Sequence, residues 1–214
     1  MVIISHFRGL LRGIFHFHPL AIEDCATTTY QAPKVDDYGS YLFLIVHAIH
    51  SNQSAIDLET DELNIFLGPN YLVPSHLQHE MQPVEYVWKR MERDERLYSN
   101  GADFLCHAVL DKLVDDFMPI IDELDAEIEE LEDRVMAAPR TETLEKILGL
   151  KHTVMSLRRI ISHQREIINR LSRDDFPMID RQSQIYFRDI YDHLVRIQDL
   201  SESIRDIVIG ACAY

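Results

Sequence analysis

The sequence ends in YFRDIYDHLVRIQDLSESIRDIVIGACAY, residues 186–214, and this stretch predicts one long helix. Its apolar residues follow alternating steps of three and four, a spacing typical of a helix that buries one seam. Ser201 is the one small polar residue on this seam, and charged residues stop after Asp206. We therefore expect a helix that continues beyond this stretch. The other seam positions are Phe187, Ile190, Leu194, Ile197, Ile204, Val208 and Ala211.

Two further helices are predicted before it. Residues 102–138 repeat apolar positions with heptad spacing, and Pro119 indicates either a kink or a fresh first turn. Residues 141–172 form the return helix, and the short Ala-Ala-Pro-Arg link makes the two helices antiparallel neighbours. The predicted buried positions are Phe117, Ile121, Leu124, Ile128, Leu131 and Val135 in the first helix, and Leu144, Leu148, Val154, Leu157, Ile161, Ile168 and Leu171 in the second.

The first hundred residues have a different pattern. The apolar run at residues 40–50 predicts a strand buried on both faces, and two short runs flanking Gly68-Pro69-Asn70 predict a hairpin. Residues 20–25 predict a short helical turn, and residues 33–37 a connection. Residues 75–98 predict a helix that starts afresh at Pro83, with Val84, Val87, Trp88 and Met91 on one side.

Composition narrows the function classes. The net charge of −15 argues against nucleic-acid binding, which needs basic surfaces, and favours solubility or attraction of cations. Three widely spaced cysteines do not form a disulfide framework and indicate a reducing compartment. No stretch is apolar enough for a bilayer span, and the first residues lack the pattern of a cleaved signal peptide.

No catalytic motif appears in the sequence, so we do not expect an enzyme. His76 and His79 are three apart on the predicted helix, which gives a weak transition-metal pattern, whereas Cys106 and His107 are adjacent and point apart on a helix. Carboxylates are more numerous, and hard divalent cations such as Mg²⁺ prefer oxygen ligands. Their spacing alone leaves solvated surface acids and metal ligands as open alternatives.

Five segments in order resemble the cytoplasmic part of CorA-type divalent-cation transporters. The resemblance covers residues 15–214, and the last segment is the most specific. The segments are HPLAIED (18–24), PKVDDYGSYLFLIV (33–46), DKLVDDF (111–117), IDELDAEIEELEDRV (121–135) and YFRDIYDHLVRIQDLSESIRDIV (186–208).

The resemblance implies a homopentameric, channel-like transporter of Mg²⁺ that also passes Co²⁺ and Ni²⁺. Its fold would be a small-sheet α/β or α+β domain, two long antiparallel helices and a stalk helix leading to the pore. It further implies a regulatory Mg²⁺ site between neighbouring protomers. Asp24 and Asp189 match its main ligands, and Glu23 and Asp111 match its supporting ligands.

The sequence also departs from the family pattern. The Gly-Met-Asn pore signature, both membrane helices and the first strands of the domain do not occur in it. We therefore expect a soluble fragment, monomeric or oligomeric, that does not conduct ions by itself and has an open sheet edge. The expected units are 1–100 (the shortened α/β domain), 101–173 (the two helices) and 174–214 (the stalk), at the cytoplasmic face of the inner membrane.

Two alternative functions remain open. The first is the zinc-transporting branch of the same family, for which His76, His79 and Cys106 would be the candidate ligands. The second is a structural helical scaffold that associates without metal. Neither alternative predicts nucleic acid as a partner.

Overall fold

The computed structural model of the protein describes residues 9–51, 58–77, 81–137 and 141–211. Four strands precede most of the helices along the chain. The strands are β1 (Lys34–Asp37), β2 (Leu42–Ser51), β3 (Leu58–Leu67) and β4 (Leu72–Ser75). The helices are α1 (Pro19–Asp24), α2 (Gln82–Met91), α3 (Arg96–Ser99), α4 (Ala102–Asp115), α5 (Phe117–Ala137), α6 (Thr141–Arg173) and α7 (Gln184–Ala211).

The four strands form one antiparallel sheet in the order β1-β2-β3-β4. The predicted hairpin is confirmed between β3 and β4, where the Gly68 N–H donates to the Tyr71 carbonyl at 3.0 Å. A Cβ on Gly68 would lie 2.2 Å from the Tyr71 ring, so any other residue at this position would have to displace that ring. An antiparallel sheet followed by long helices is an α+β fold, which confirms the predicted fold class.

The sheet separates two apolar cores. Alternate residues of β2 point to opposite faces, as the pleat requires. Leu42, Leu44 and Val46 pack in the large core with the long helices, whereas Phe43 and Ile45 pack in a smaller core with α1. Both faces of β2 are therefore buried, as predicted.

The prediction of a connection at residues 33–37 is wrong. Lys34–Asp37 is a strand, with Val35 opposite Leu44 and Asp37 opposite Leu42. Only Val35 is buried, so the strand has almost no apolar pattern of its own. Pairing with the apolar strand β2 determines its structure.

The predicted helix over residues 75–98 begins too early and is interrupted, since α2 ends at Met91 and α3 begins at Arg96. Ser75 ends β4, and His76 is not helical. The helix starts at Gln82 with Pro83 in its first turn. Proline is tolerated there because the N–H groups of the first turn have no partner within the helix. Trp88, predicted on the same side of the helix as Val87, is 65% exposed, whereas Val87 is buried.

The long helices follow the predicted seams with one exception. α4 ends at Asp115, and α5 begins at Phe117 with Pro119 in its first turn, so Pro119 marks a fresh start. Leu148 of α6 is 50% exposed, contrary to the prediction. The side chains of Val135, Leu144, Val208 and Ala211 lie outside the described residues. The remaining predicted seam residues of α5, α6 and α7 are buried.

Two polar contacts attach α6 to the sheet. The buried Gln164 side chain accepts a hydrogen bond from the His47 backbone N–H at 2.6 Å, and Arg170 donates to the Val35 carbonyl at 3.0 Å. α6 in turn packs along α7 in the large core. Among the described residues, no helix is both long and apolar enough to cross a membrane.

Candidate metal centre

Two carboxylates and an imidazole meet where α4 packs against α7. Asp111 and Asp115 are four residues apart on α4, which places them on one face of the helix. His193 approaches them from α7. One ligand atom from each of the three side chains lies within 4.8 Å of the others. Within the described residues, this is the only group of three or more histidine, cysteine, aspartate or glutamate side chains with such spacing.

Asp189 is one helical turn before His193 on α7 and extends the acidic site. Its negative charge contributes to raising the pKa of Asp111, so these two sequence-predicted residues lie on neighbouring parts of α4 and α7. A contact four residues before α7 supports this arrangement. The buried Asp103 of α4 accepts a hydrogen bond from the Asp180 N–H at 3.0 Å.

The pKa values of Asp111 and Asp115 both lie above the ordinary value for aspartate. Partial burial raises the pKa of Asp111; the neighbouring His193 opposes this rise and Asp189 adds to it. Burial and the charge of Asp111 raise the pKa of Asp115. A cation near these groups would offset their mutual repulsion, because an opposite charge favours the ionised form. Asp111 is half-buried, whereas Asp115 and His193 are exposed, so a cation from solvent could reach the cluster.

His107 lies one turn before Asp111 on α4, against the first turn of α7. Its ring is 5.3 Å from the Tyr186 ring and 5.8 Å from the Phe187 ring. Burial lowers its pKa to about 4, although Asp189 acts in the opposite direction. The imidazole is consequently neutral at pH 7, and its buried Nδ1 atom has no hydrogen-bond partner.

Asp24 and Glu23 lie elsewhere in the protein. They end α1, which packs on the opposite face of the sheet from α4 and α7. Glu23 is exposed, and the Asp24 carboxylate is 2.8 Å from the Lys34 ammonium. Within one chain, no described contact joins this pair to Asp111 or Asp189.

The candidate zinc ligands do not form a cluster. Cys106 is fully buried, which raises the pKa of its thiol far above the ordinary value and opposes thiolate formation. His79 lies outside the described residues. Neither Cys106 nor His76 belongs to the described cluster at α4 and α7.

Sequence reasoning missed Asp115 and His193 as members of the site. Asp111 and Asp115, and likewise Asp189 and His193, each have the i, i+4 spacing that places two side chains on one helical face. That signal was available in the sequence. The pairing of the two helical faces was not, because it depends on the packing of α4 against α7.

Comparison with known proteins identifies the family. The chain is 33% identical to YfjQ of Bacillus subtilis over 199 residues. The aligned region covers 93% of this chain and 60% of that protein. It is 32% identical over 204 residues to the cobalt/magnesium transport protein CorA of Thermotoga maritima. This alignment covers 92% of this chain and 56% of that protein. The chain thus spans a little over half the length of these relatives.

The fold comparison agrees with the sequence comparison. The soluble domain of CorA from Methanocaldococcus jannaschii superimposes with a TM-score of 0.83 at 21% identity, covering 98% of this chain and 82% of that one. The family model described as "CorA-like Mg2+ transporter protein" matches residues 6–209. This protein therefore belongs to the CorA-like Mg²⁺ transporter family.

Proposed function

We propose that this chain is the cation-binding regulatory part of a CorA-type divalent-cation transporter. In this proposal it lies at the cytoplasmic face of the membrane, and α7 is the stalk that leads toward the membrane part. The units proposed are residues 1–100, 101–173 and 174–214. The transported ion is Mg²⁺, with Co²⁺ and Ni²⁺ as further cargo.

The observation that carries the proposal is the cluster of Asp111, Asp115 and His193. The carboxylates come from α4 and the imidazole from α7, so a shared cation would tie the two helices together. Carboxylate oxygens suit Mg²⁺, and an imidazole nitrogen adds affinity for Co²⁺, Ni²⁺ or Zn²⁺. The residues present therefore fit a divalent cation.

The second part of the proposal concerns Asp24 and Asp189. These two acids belong to elements on opposite faces of the sheet. A cation bound by both is therefore most simply held between two copies of the chain, each of which contributes one acid. We propose a homopentamer in which Asp24 of one copy and Asp189 of the next bind Mg²⁺, with Glu23 and Asp111 in support. When Mg²⁺ is scarce, the acids repel and the stalk helices are released.

Thermal melting across a Mg²⁺ titration tests the α4–α7 cluster. At ten times its dissociation constant a ligand stabilises the folded state by about 1.4 kcal/mol. For a chain of this length we expect Tm to rise by about 3–6 °C. The double variant Asp111→Asn/Asp115→Asn should lose this rise.

Asp125→Asn is the matched control, because Asp125 is an exposed acid on α5 away from the cluster. It should retain the Mg²⁺-dependent rise in Tm. An equal rise in the double variant and in the control would contradict metal binding by the cluster and favour the structural scaffold. Calorimetry with Zn²⁺ in place of Mg²⁺ separates the zinc-transporting alternative, which requires tighter Zn²⁺ binding.

A further inference from the structure

Lys34 holds its ammonium group between two carboxylates, one of which belongs to the proposed cation site. Its Nζ atom is 2.8 Å from Oδ2 of Asp24 and 2.8 Å from Oδ2 of Asp36. All three side chains are half-buried, with 38%, 26% and 41% of their surfaces exposed for Lys34, Asp24 and Asp36. The ammonium therefore occupies a position that a cation bound to Asp24 would need.

Separate elements fix this arrangement. Lys34 and Asp36 are two residues apart on β1 and so share a face of the sheet. Asp24 ends α1, and its backbone carbonyl accepts a hydrogen bond from the Gln31 side chain at 2.9 Å. The Lys34 ammonium also lies 5.6 Å from the centre of the Phe43 ring. The contact is thus supported from α1, β1 and β2.

The charge on Lys34 is permanent at physiological pH. Burial acts to lower its pKa, but the hydrogen-bonded carboxylates of Asp24 and Asp36 outweigh this effect, and the pKa lies above the ordinary value. A divalent cation approaching Asp24 consequently meets both a repelling positive charge and a carboxylate oxygen that is already bonded. Lysine can leave such a site, because its ammonium sits on a flexible four-carbon stem.

We propose that Lys34 is a tethered counter-cation that competes with the divalent cation for Asp24 and so sets the cation concentration at which Asp24 responds. This inference rests on the proposed function, because it takes Asp24 as a cation ligand. It assigns to Lys34 a role in setting the affinity of Asp24 for the divalent cation. One ammonium is shared by two carboxylates, so the group keeps a net negative charge. The ion pair occupies Asp24 when the divalent cation is scarce and yields when it is abundant.

The test follows the side-chain carboxyl ¹³C NMR signals of Asp24 and Asp115 through a Mg²⁺ titration, each assigned with the corresponding Asn variant. Lys34→Met removes the charge and keeps an unbranched apolar stem. We expect the midpoint of the Asp24 response to fall about fivefold in Lys34→Met, which corresponds to about 1 kcal/mol at 1.4 kcal/mol per tenfold. The midpoint of Asp115 should not change.

Two further variants control the result. Lys34→Arg retains the positive charge and should keep the wild-type midpoint. Lys89→Met removes an exposed lysine that pairs with Glu85 on α2 and should also leave the Asp24 midpoint unchanged. Equal Asp24 midpoints in wild type and Lys34→Met would overturn the inference, as would an Asp24 signal that Mg²⁺ never shifts. The Asp115 signal tests the proposed function separately, since Asp115 belongs to the α4–α7 cluster and is not a ligand of the proposed Asp24–Asp189 site.

Discussion

His107 is a largely buried, neutral imidazole next to the candidate metal centre, and its partial burial has a measurable consequence. Its pKa is about 4 in the folded protein and 6.5 in the unfolded chain. Between these values the unfolded chain binds more protons, so stability must fall as the pH falls from 6.5 to 4. We expect this residue to account for about 2 kcal/mol of that loss, less than the full linkage value because the ring is partly exposed.

Chemical denaturation at several pH values measures the effect. His107→Phe fits an aromatic environment formed by Phe104, Tyr186 and Phe187 and cannot take up a proton. Its free energy of unfolding should depend less steeply on pH between 4 and 6.5 than that of wild type. His152→Phe, at an exposed position of α6, should keep the wild-type slope. An unchanged slope in His107→Phe would show that this imidazole is not held neutral by burial.

At the residue scale, the sequence indicates that the site is acidic, but it does not identify all the residues that form it. Asp111 and Asp189 could be selected because they match the family pattern. Asp115 and His193 each lie four residues from one of these acids, but that spacing is common on any exposed helix and could not select them by itself. Their proximity arises from the packing of two helices that are distant in the sequence.

At the scale of the element, Ser201 interrupts the apolar seam of α7. It is almost completely buried, and its hydroxyl donates to the Gln198 carbonyl at 2.8 Å within the same helix. Ile197 and Ile204 flank it on the buried side. The site therefore provides room for a small side chain only.

We expect Ser201→Leu to lower the free energy of unfolding by about 1–3 kcal/mol, because overpacking a core displaces neighbouring side chains. Ser201→Ala should have a much smaller effect, since its hydroxyl bonds only within its own helix. Ser203→Leu is the matched control on the exposed side of the same turn and should change stability by no more than about 0.5 kcal/mol. Urea denaturation of the three variants measures these differences, and equal losses for Ser201→Leu and Ser203→Leu would refute a packed seam at Ser201.

The elements differ in how far their own sequences determine them. α5, α6 and α7 could be predicted because their apolar residues follow the helical period over several turns. β1 could not, because its sequence KVDD has a single buried residue and its strand conformation depends on β2. Leu148 marks the limit of periodicity: the spacing places it on a seam, but no described element covers that part of α6.

At the scale of the whole molecule, the fold places the predicted cation ligands in two groups. Asp111 and Asp189 lie with the long helices, whereas Glu23 and Asp24 lie with α1 across the sheet. A single copy can therefore complete the α4–α7 cluster, while the Asp24–Asp189 pair requires a second copy. Cation binding and self-association are coupled in this proposal, because each promotes the other by mass action.

Light scattering across a Mg²⁺ titration tests this coupling. We expect the average mass to rise with Mg²⁺ from that of one chain toward that of five, since the cation removes repulsion between chains that each carry a net charge of −15. General screening by salt would produce the same trend, so NaCl at equal ionic strength must be compared. Asp189→Asn should prevent the rise, and Asp125→Asn should not. A mass that follows ionic strength alone, or that rises equally in Asp189→Asn, would mean that charge screening drives association and that Asp189 does not bind a cation shared between copies.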